Sequence, residues 1–167
     1  MQIQAEALTG RAFAPFGEII QRPSQDPTAV GPGWQWWGET VSLPGDGRPF
    51  GIGFLQLQPV APRFDWAERH MRSHELLVPI GGDCLVYVGP PDYPDQPDRL
   101  PVLDQFRVFR VQEGQSVLVH PGVWHGAPLA VDAPMNVVVL LLEQTGNIDT
   151  SVVRFGATPV EIDVQGT

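Results

Sequence analysis

Histidine and glutamate are gathered in two short stretches of this chain. The first is Glu68-Arg69-His70-Met71-Arg72-Ser73-His74-Glu75 and the second His120-Pro121-Gly122-Val123-Trp124-His125; together they hold all four histidines. Side chains of an extended strand alternate between its faces, so Glu68 and His70 point the same way. If Glu75 and His125 join them inside one barrel, the pocket is lined by imidazole nitrogen and carboxylate oxygen. That donor set suits a divalent metal.

Each of these residues also has a plainer reading. Glu75 opens the apolar run Leu76-Leu77-Val78, where an unused charge is costly; the plainer alternative is a solvated carboxylate at a strand end. Glu68 can ligate, act as a general base, or pair with Arg69 or Arg72. His120 precedes a Pro-Gly turn and reads as an orienting partner that holds a ligand through its other ring nitrogen, or as a ligand itself. His74 neighbours Glu75 and so faces away from it in a regular strand. Arg72 shares the parity of Glu68 and His70, which would let its guanidinium hold a substrate carboxylate bidentately. For Arg69 and Arg72 alike the plainer placement is the surface, and Trp124 is expected against the barrel wall.

Composition narrows the chemistry. The 167 residues are 43% hydrophobic, enough for a single domain over residues 1–167 whose core needs no disulfide. A net charge of −9 argues against nucleic acid as a partner. All ten basic residues are Arg, which removes Schiff-base chemistry on a lysine. An anionic substrate must then be held by local Arg or by a metal. Cys84 is the only cysteine, and its setting in Leu85-Val86-Tyr87-Val88 reads as a buried, inert thiol in a reducing compartment. The longest apolar run, residues 137–142, is too short to cross a bilayer, and the first residues lack the pattern of a secretory signal. The expectation is a soluble cytoplasmic protein that takes a small-molecule substrate, with no membrane or nucleic-acid partner.

Eighteen Gly and eighteen Pro punctuate the chain too often for long helices. A short helix is predicted over residues 9–16, capped by Thr9 and ended by Pro15-Phe16-Gly17. Strands are predicted over residues 18–20, 50–59, 75–80, 84–88, 106–111, 116–119 and 137–142, with loops at 22–33 and 90–101. Many short strands with few helices define an all-β class, a mainly antiparallel sandwich or barrel. Trp34-Gln35-Trp36-Trp37 reads as a strand whose Trp34 and Trp36 share a face. They would cover a barrel mouth or a subunit contact, or form an aromatic wall over a ligand.

The spacing of Glu68, His70, Glu75 and Gly82, and of Gly114, Gly122 and His125, resembles the two motifs of the cupins. Glu68 stands at the first histidine position and His120 at the proline position. Ala12-Phe13-Ala14-Pro15-Phe16-Gly17-Glu18-Ile19-Ile20, Glu68-Arg69-His70, Val78-Pro79-Ile80-Gly81-Gly82 and His120-xx-Val123-Trp124-His125 together resemble the ureidoglycolate lyase family over most of the chain. The resemblance implies a cupin-type β-barrel or jelly roll with few short helices, a homodimer, and cleavage of ureidoglycolate to glyoxylate and urea in allantoin breakdown. The two cupin spacings select His70 and His125 independently as metal ligands, with Glu75 as the third. Ligand type leaves Ni, Zn, Mn and Fe open. The family carries Thr-Gln where this chain has His74-Glu75, and often a Lys where Gly81 stands, so this pocket is the more metal-like.

On this reading a divalent metal on His70, Glu75 and His125 lowers the pKa of the substrate hydroxyl. Glu68 or His120 takes the hydroxyl proton and the other supplies one to urea, with Arg72 available for the substrate carboxylate. The alternatives are another metal-dependent cupin enzyme acting on a small hydroxy or keto acid, and a non-catalytic cupin that binds a small ligand on its Trp cluster.

Overall fold

Glu75–Ile80, Ser116–Val119 and Met135–Leu142 alternate so that Leu77, Val117, Val119, Val137 and Val139 turn to one side, and that side organises the molecule. The computed structural model describes residues 1–96, 99–156 and 158–165. The three strands lie in a five-stranded sheet ordered Gly17–Ile20, Ser116–Val119, Glu75–Ile80, Met135–Leu142, Phe50–Leu57. Its apolar face packs on Val86, Val88, Phe109 and Val111 of a nine-stranded sheet. That sheet runs Ser151–Arg154, Trp66–Arg69, Trp124–His125, Cys84–Gly89, Arg107–Val111, Gln2–Ala7, Val160–Asp163, Arg63–Phe64, with Leu129–Ala130 also paired to Cys84–Gly89. The main core lies between the two sheets. Each large apolar side chain fully buried there contributes about 1.5–3 kcal/mol.

Strand alternation gives the nine-stranded sheet a second apolar face. Leu85, Tyr87, Val108 and Trp124 turn away from the barrel interior and bury Phe64, Phe106 and Val160. Tyr87 stacks on Phe64 with ring centroids 4.1 Å apart.

The expected elements are present with small shifts. The helix is one turn, Gly10–Phe13, with Thr9 Oγ1 accepting from the Ala12 N–H at 3.3 Å. Two features depart from expectation. Gln2–Ala7 is a strand and pairs in parallel with both Arg107–Val111 and Val160–Asp163, inside sheets that are otherwise antiparallel. The loop expected at 22–33 contains Ala29–Gly31, which pairs with Trp34–Trp36 in a separate hairpin. Trp34 and Trp36 are both exposed there. The clefts beside that hairpin are lined by Arg22, Trp34 and Trp37. In the loop at 90–101, Pro97 and Asp98 lie outside the described residues. No helix among the described residues is long and apolar enough to cross a membrane.

Candidate active site

Trp66–Arg69 and Trp124–His125 run antiparallel with Glu68 directly opposite His125, which brings the two histidine-bearing stretches together. Gly122 makes the approach possible: its φ of +82° suits a residue without Cβ, and its N–H donates to the His70 carbonyl at 2.7 Å. Glu75 enters from the facing sheet as the first residue of Glu75–Ile80, opposite Val119.

The three side chains meet in the interior. His70, Glu75 and His125 are only 5%, 9% and 2% exposed. Nε2 of His70 lies 3.0 Å, and Nε2 of His125 3.2 Å, from the same Glu75 oxygen, Oε2. Glu68, His70 and His125 each offer a donor atom within 4.8 Å of the others.

The far ring nitrogens decide what this contact means. His125 Nδ1 is 2.9 Å from the Val123 carbonyl. His70 Nδ1 is 3.1 Å from the Asp149 carbonyl and 3.1 Å from Thr150 Oγ1. A carbonyl only accepts, so the hydrogen-bond pattern assigns the proton of each neutral ring to Nδ1 and leaves Nε2 as a lone pair. Both lone pairs then face one carboxylate oxygen, an arrangement that favours a cation between them. Burial works to lower the His125 pKa, but the Glu75 charge and hydrogen bond, helped by the Val123 carbonyl and Glu68, raise it above its ordinary value. Burial likewise works to raise Glu75, and the charge and hydrogen bonds of His125 and His70 outweigh it, holding the carboxyl below the usual carboxylate range. A divalent metal fits the same place. Neighbouring ligands on an ion with bonds of about 2.1 Å stand about 3.0–3.4 Å apart, which matches the two Glu75–histidine distances; the group whose donor atoms all lie within 4.8 Å of one another is Glu68, His70 and His125.

Other predicted site residues lie elsewhere. His120 pairs with His74, ring centroids 5.6 Å apart, and with Glu18 at 3.6 Å; it orients neither His70 nor His125. The orienting role falls to the Val123 and Asp149 carbonyls. Trp66–Arg69 ends before Arg72, so the parity argument stops at Arg69. The Arg72 guanidinium is instead largely exposed and paired with Asp46 at 2.8 Å. Arg69, expected at the surface, is fully buried over Trp124.

Residues that sequence spacing did not reveal hold the site in place. The Asp149 carboxylate accepts from the Met71 and Arg72 N–H groups at 3.0 and 2.9 Å, closing the turn that carries His70. Thr150 donates to the Thr145 carbonyl, which leaves its oxygen facing His70. Their only sequence signal is Asx and Thr chemistry near a helix end, too common to single them out.

Imidazole and carboxylate donors buried between the facing sheets of a mainly antiparallel barrel define an all-β protein with a candidate metal centre. The chain belongs to the ureidoglycolate lyase family, whose model matches residues 1–163. It is 30% identical over 135 residues to a ureidoglycolate lyase of Azotobacter vinelandii, covering 77% of this chain and 78% of that one. A ureidoglycolate lyase of Pseudomonas paraeruginosa is 26% identical over 151 residues, covering 87% and 86%. Among solved structures, a dTDP-4-dehydrorhamnose 3,5-epimerase of Bacillus anthracis is similar with a TM-score of 0.46 and 12% identity, covering 70% of this chain and 71% of that one.

Proposed function

We propose that this protein eliminates urea from ureidoglycolate to give glyoxylate, with His70, Glu75 and His125 as the residues that hold a divalent metal and Glu68, beside them, as the group that moves the proton. The pair of Nε2 atoms aimed at one Glu75 oxygen supports the metal, and family membership supports the substrate. When bound, such an ion supplies Lewis acidity that makes a substrate hydroxyl easier to deprotonate.

The protein's own groups account for the proton. Glu68, paired across the strands with His125, takes the hydroxyl proton. The O–H electron pair becomes the second bond of the aldehyde, and the carbon–nitrogen bond breaks with its pair on the ureido nitrogen. Glu68 then returns the proton to that nitrogen. Nothing is oxidised or reduced, and one carboxylate serves as both base and acid, since His120 is engaged with His74 and Glu18.

The test is glyoxylate release from ureidoglycolate by metal-loaded protein. Glu68→Gln should keep its metal and lose about a hundred- to ten-thousandfold in kcat. Fully metallated wild-type protein that releases no glyoxylate overturns the reading. Turnover of a different hydroxy or keto acid in the same panel would favour another cupin activity, which the buried Glu75 carboxylate motivates.

A homodimer is part of the same proposal. Ile52 and Phe54, 76% and 66% exposed, stand on the edge strand Phe50–Leu57 beside Leu140 and Val138, which lie beside Leu76 and Val78. A second copy of the chain covers this apolar strip. Sedimentation should give a dimer, and Phe54→Glu a monomer. Cytoplasmic placement belongs to the same proposal and is supported by Cys84, a lone cysteine whose thiol is free and buried.

A further inference from the structure

We infer that His74, His120 and Glu18 form a second divalent-metal site, on the outer face of the five-stranded sheet, for a borderline transition ion such as zinc. The register places them together. Leu118 pairs with Leu76 and Val119 with Glu75, so one further step sets His120 beside His74. Val119 and Glu75 turn into the barrel, and alternation turns their neighbours His120 and His74 outward. On the other side of Ser116–Val119, Leu118 pairs with Glu18, which shares the outward face.

The geometry is close to what an ion requires. The two imidazole centroids are 5.6 Å apart with planes at 83°. Two imidazoles on one tetrahedral zinc have centroids about 5.2 Å apart, given zinc–nitrogen bonds of about 2.0–2.1 Å. Glu18 Oε1 is 3.6 Å from His120 Nε2, against about 3.3 Å for two ligands of one such ion. As they stand, the donor atoms of the three residues do not all lie within 4.8 Å of one another, so an ion that binds here must draw the side chains together by rotation. His120 and Glu18 are 38% and 50% exposed at their side chains, so water can complete the coordination. Imidazole selects zinc, nickel, cobalt or copper over magnesium or calcium.

This site is separate from the interior one, although His74 and Glu75 are adjacent in sequence. It also lies across the sheet from Phe50–Leu57, the strand offered for dimer contact. An ion here ties Gly17–Ile20, Ser116–Val119 and the start of Glu75–Ile80 together, just where the interior carboxylate begins.

The experiment is a calorimetric zinc titration of chelator-treated full-length protein, with the imidazole NMR signals of His74 and His120 followed in parallel. Wild type should bind one equivalent more than the double variant His74→Ala, His120→Ala, and zinc should shift both outer imidazole signals. His125→Ala should lose the interior equivalent and keep the outer one. An unaltered stoichiometry in the double variant, or outer imidazole signals that zinc leaves in place, overturns the site. Should the double variant fail to fold, His120→Asn alone is read by the same stoichiometry. If only the interior assignment is wrong, wild type binds a single equivalent that His120→Asn abolishes and His125→Ala retains.

Discussion

Arg69 stands over Trp124, its guanidinium carbon 4.3 Å from the ring centroid, on the opposite face of the two strands that turn Glu68 and His125 toward the pocket. Glu-Arg-His and Val-Trp-His are therefore two-sided motifs. Alternate residues line the candidate site on one face and form a buried clamp on the other. Arg69 donates to the carbonyls of Asp92, Tyr93 and Gln96 at 2.6, 3.0 and 3.2 Å. Trp124 Nε1 donates to Asp92 Oδ1 at 3.0 Å. The clamp thus fixes the start of the proline-rich loop beneath the site.

Arg69→Lys should destabilise the protein by about 2 kcal/mol, because a lysine lacks the planar fork that reaches three carbonyls and stacks on an indole. Urea denaturation measures the loss. Hydrogen exchange should show residues 92–96 opening first, and an unchanged exchange pattern there would refute the clamp.

The pH dependence of the metal-free protein follows from Glu75 and His125. Glu75 is depressed in the fold, so its contribution is present above its unfolded value, near 4.5, and is lost as pH falls toward the folded one. His125 is raised, so its contribution is full below its unfolded value, near 6.5, and is lost as pH rises through the folded one. Thermal melts of chelator-treated protein should therefore peak between those two values, and His125→Gln should remove the alkaline decline. A bound metal replaces the His125 proton, so loading should shift the optimum upward and release protons at neutral pH.

Asp149→Ala should weaken metal binding about 10- to 100-fold without unfolding the barrel, the usual effect of removing a group that orients a ligand. Its carboxylate holds the Met71 and Arg72 N–H groups that set the His70 turn. Competition against a chelator of known affinity reads the change; wild-type affinity in the variant would show that the turn holds itself.

Gly126→Ala tests how tightly the strand bearing His125 is seated. A Cβ there would lie 1.7 Å from the Tyr87 hydroxyl, and Tyr87 is buried and stacked on Phe64. The overlap should cost about 2–3 kcal/mol in chemical denaturation.

Strand periodicity is a local property, and it was legible. Glu75–Ile80 and Ser116–Val119 have the bounds their alternation predicts, and the tautomer of His125 is set by Val123, two residues away. The motif spacing also marked Glu75 and His125, whose faces follow from parity within their own strands, whereas His70 lies one residue past Trp66–Arg69 and is set by the turn that Asp149 closes. Parity fails where a strand stops, and for that reason Arg72, beyond the end of Trp66–Arg69, turns to Asp46.

What only the tertiary structure decided is which strands lie side by side and in what register. Asp149 supports His70 from 79 residues along the chain, and Glu18 meets His120 from the neighbouring edge strand, far away in sequence. The burial of Arg69 depends on carbonyls contributed by another loop. Such pairings come from closing two sheets on one core, a balance over the whole chain that no local run of residues contains. The sequence by itself therefore determined which side chains can do chemistry; register and packing decided which of them meet.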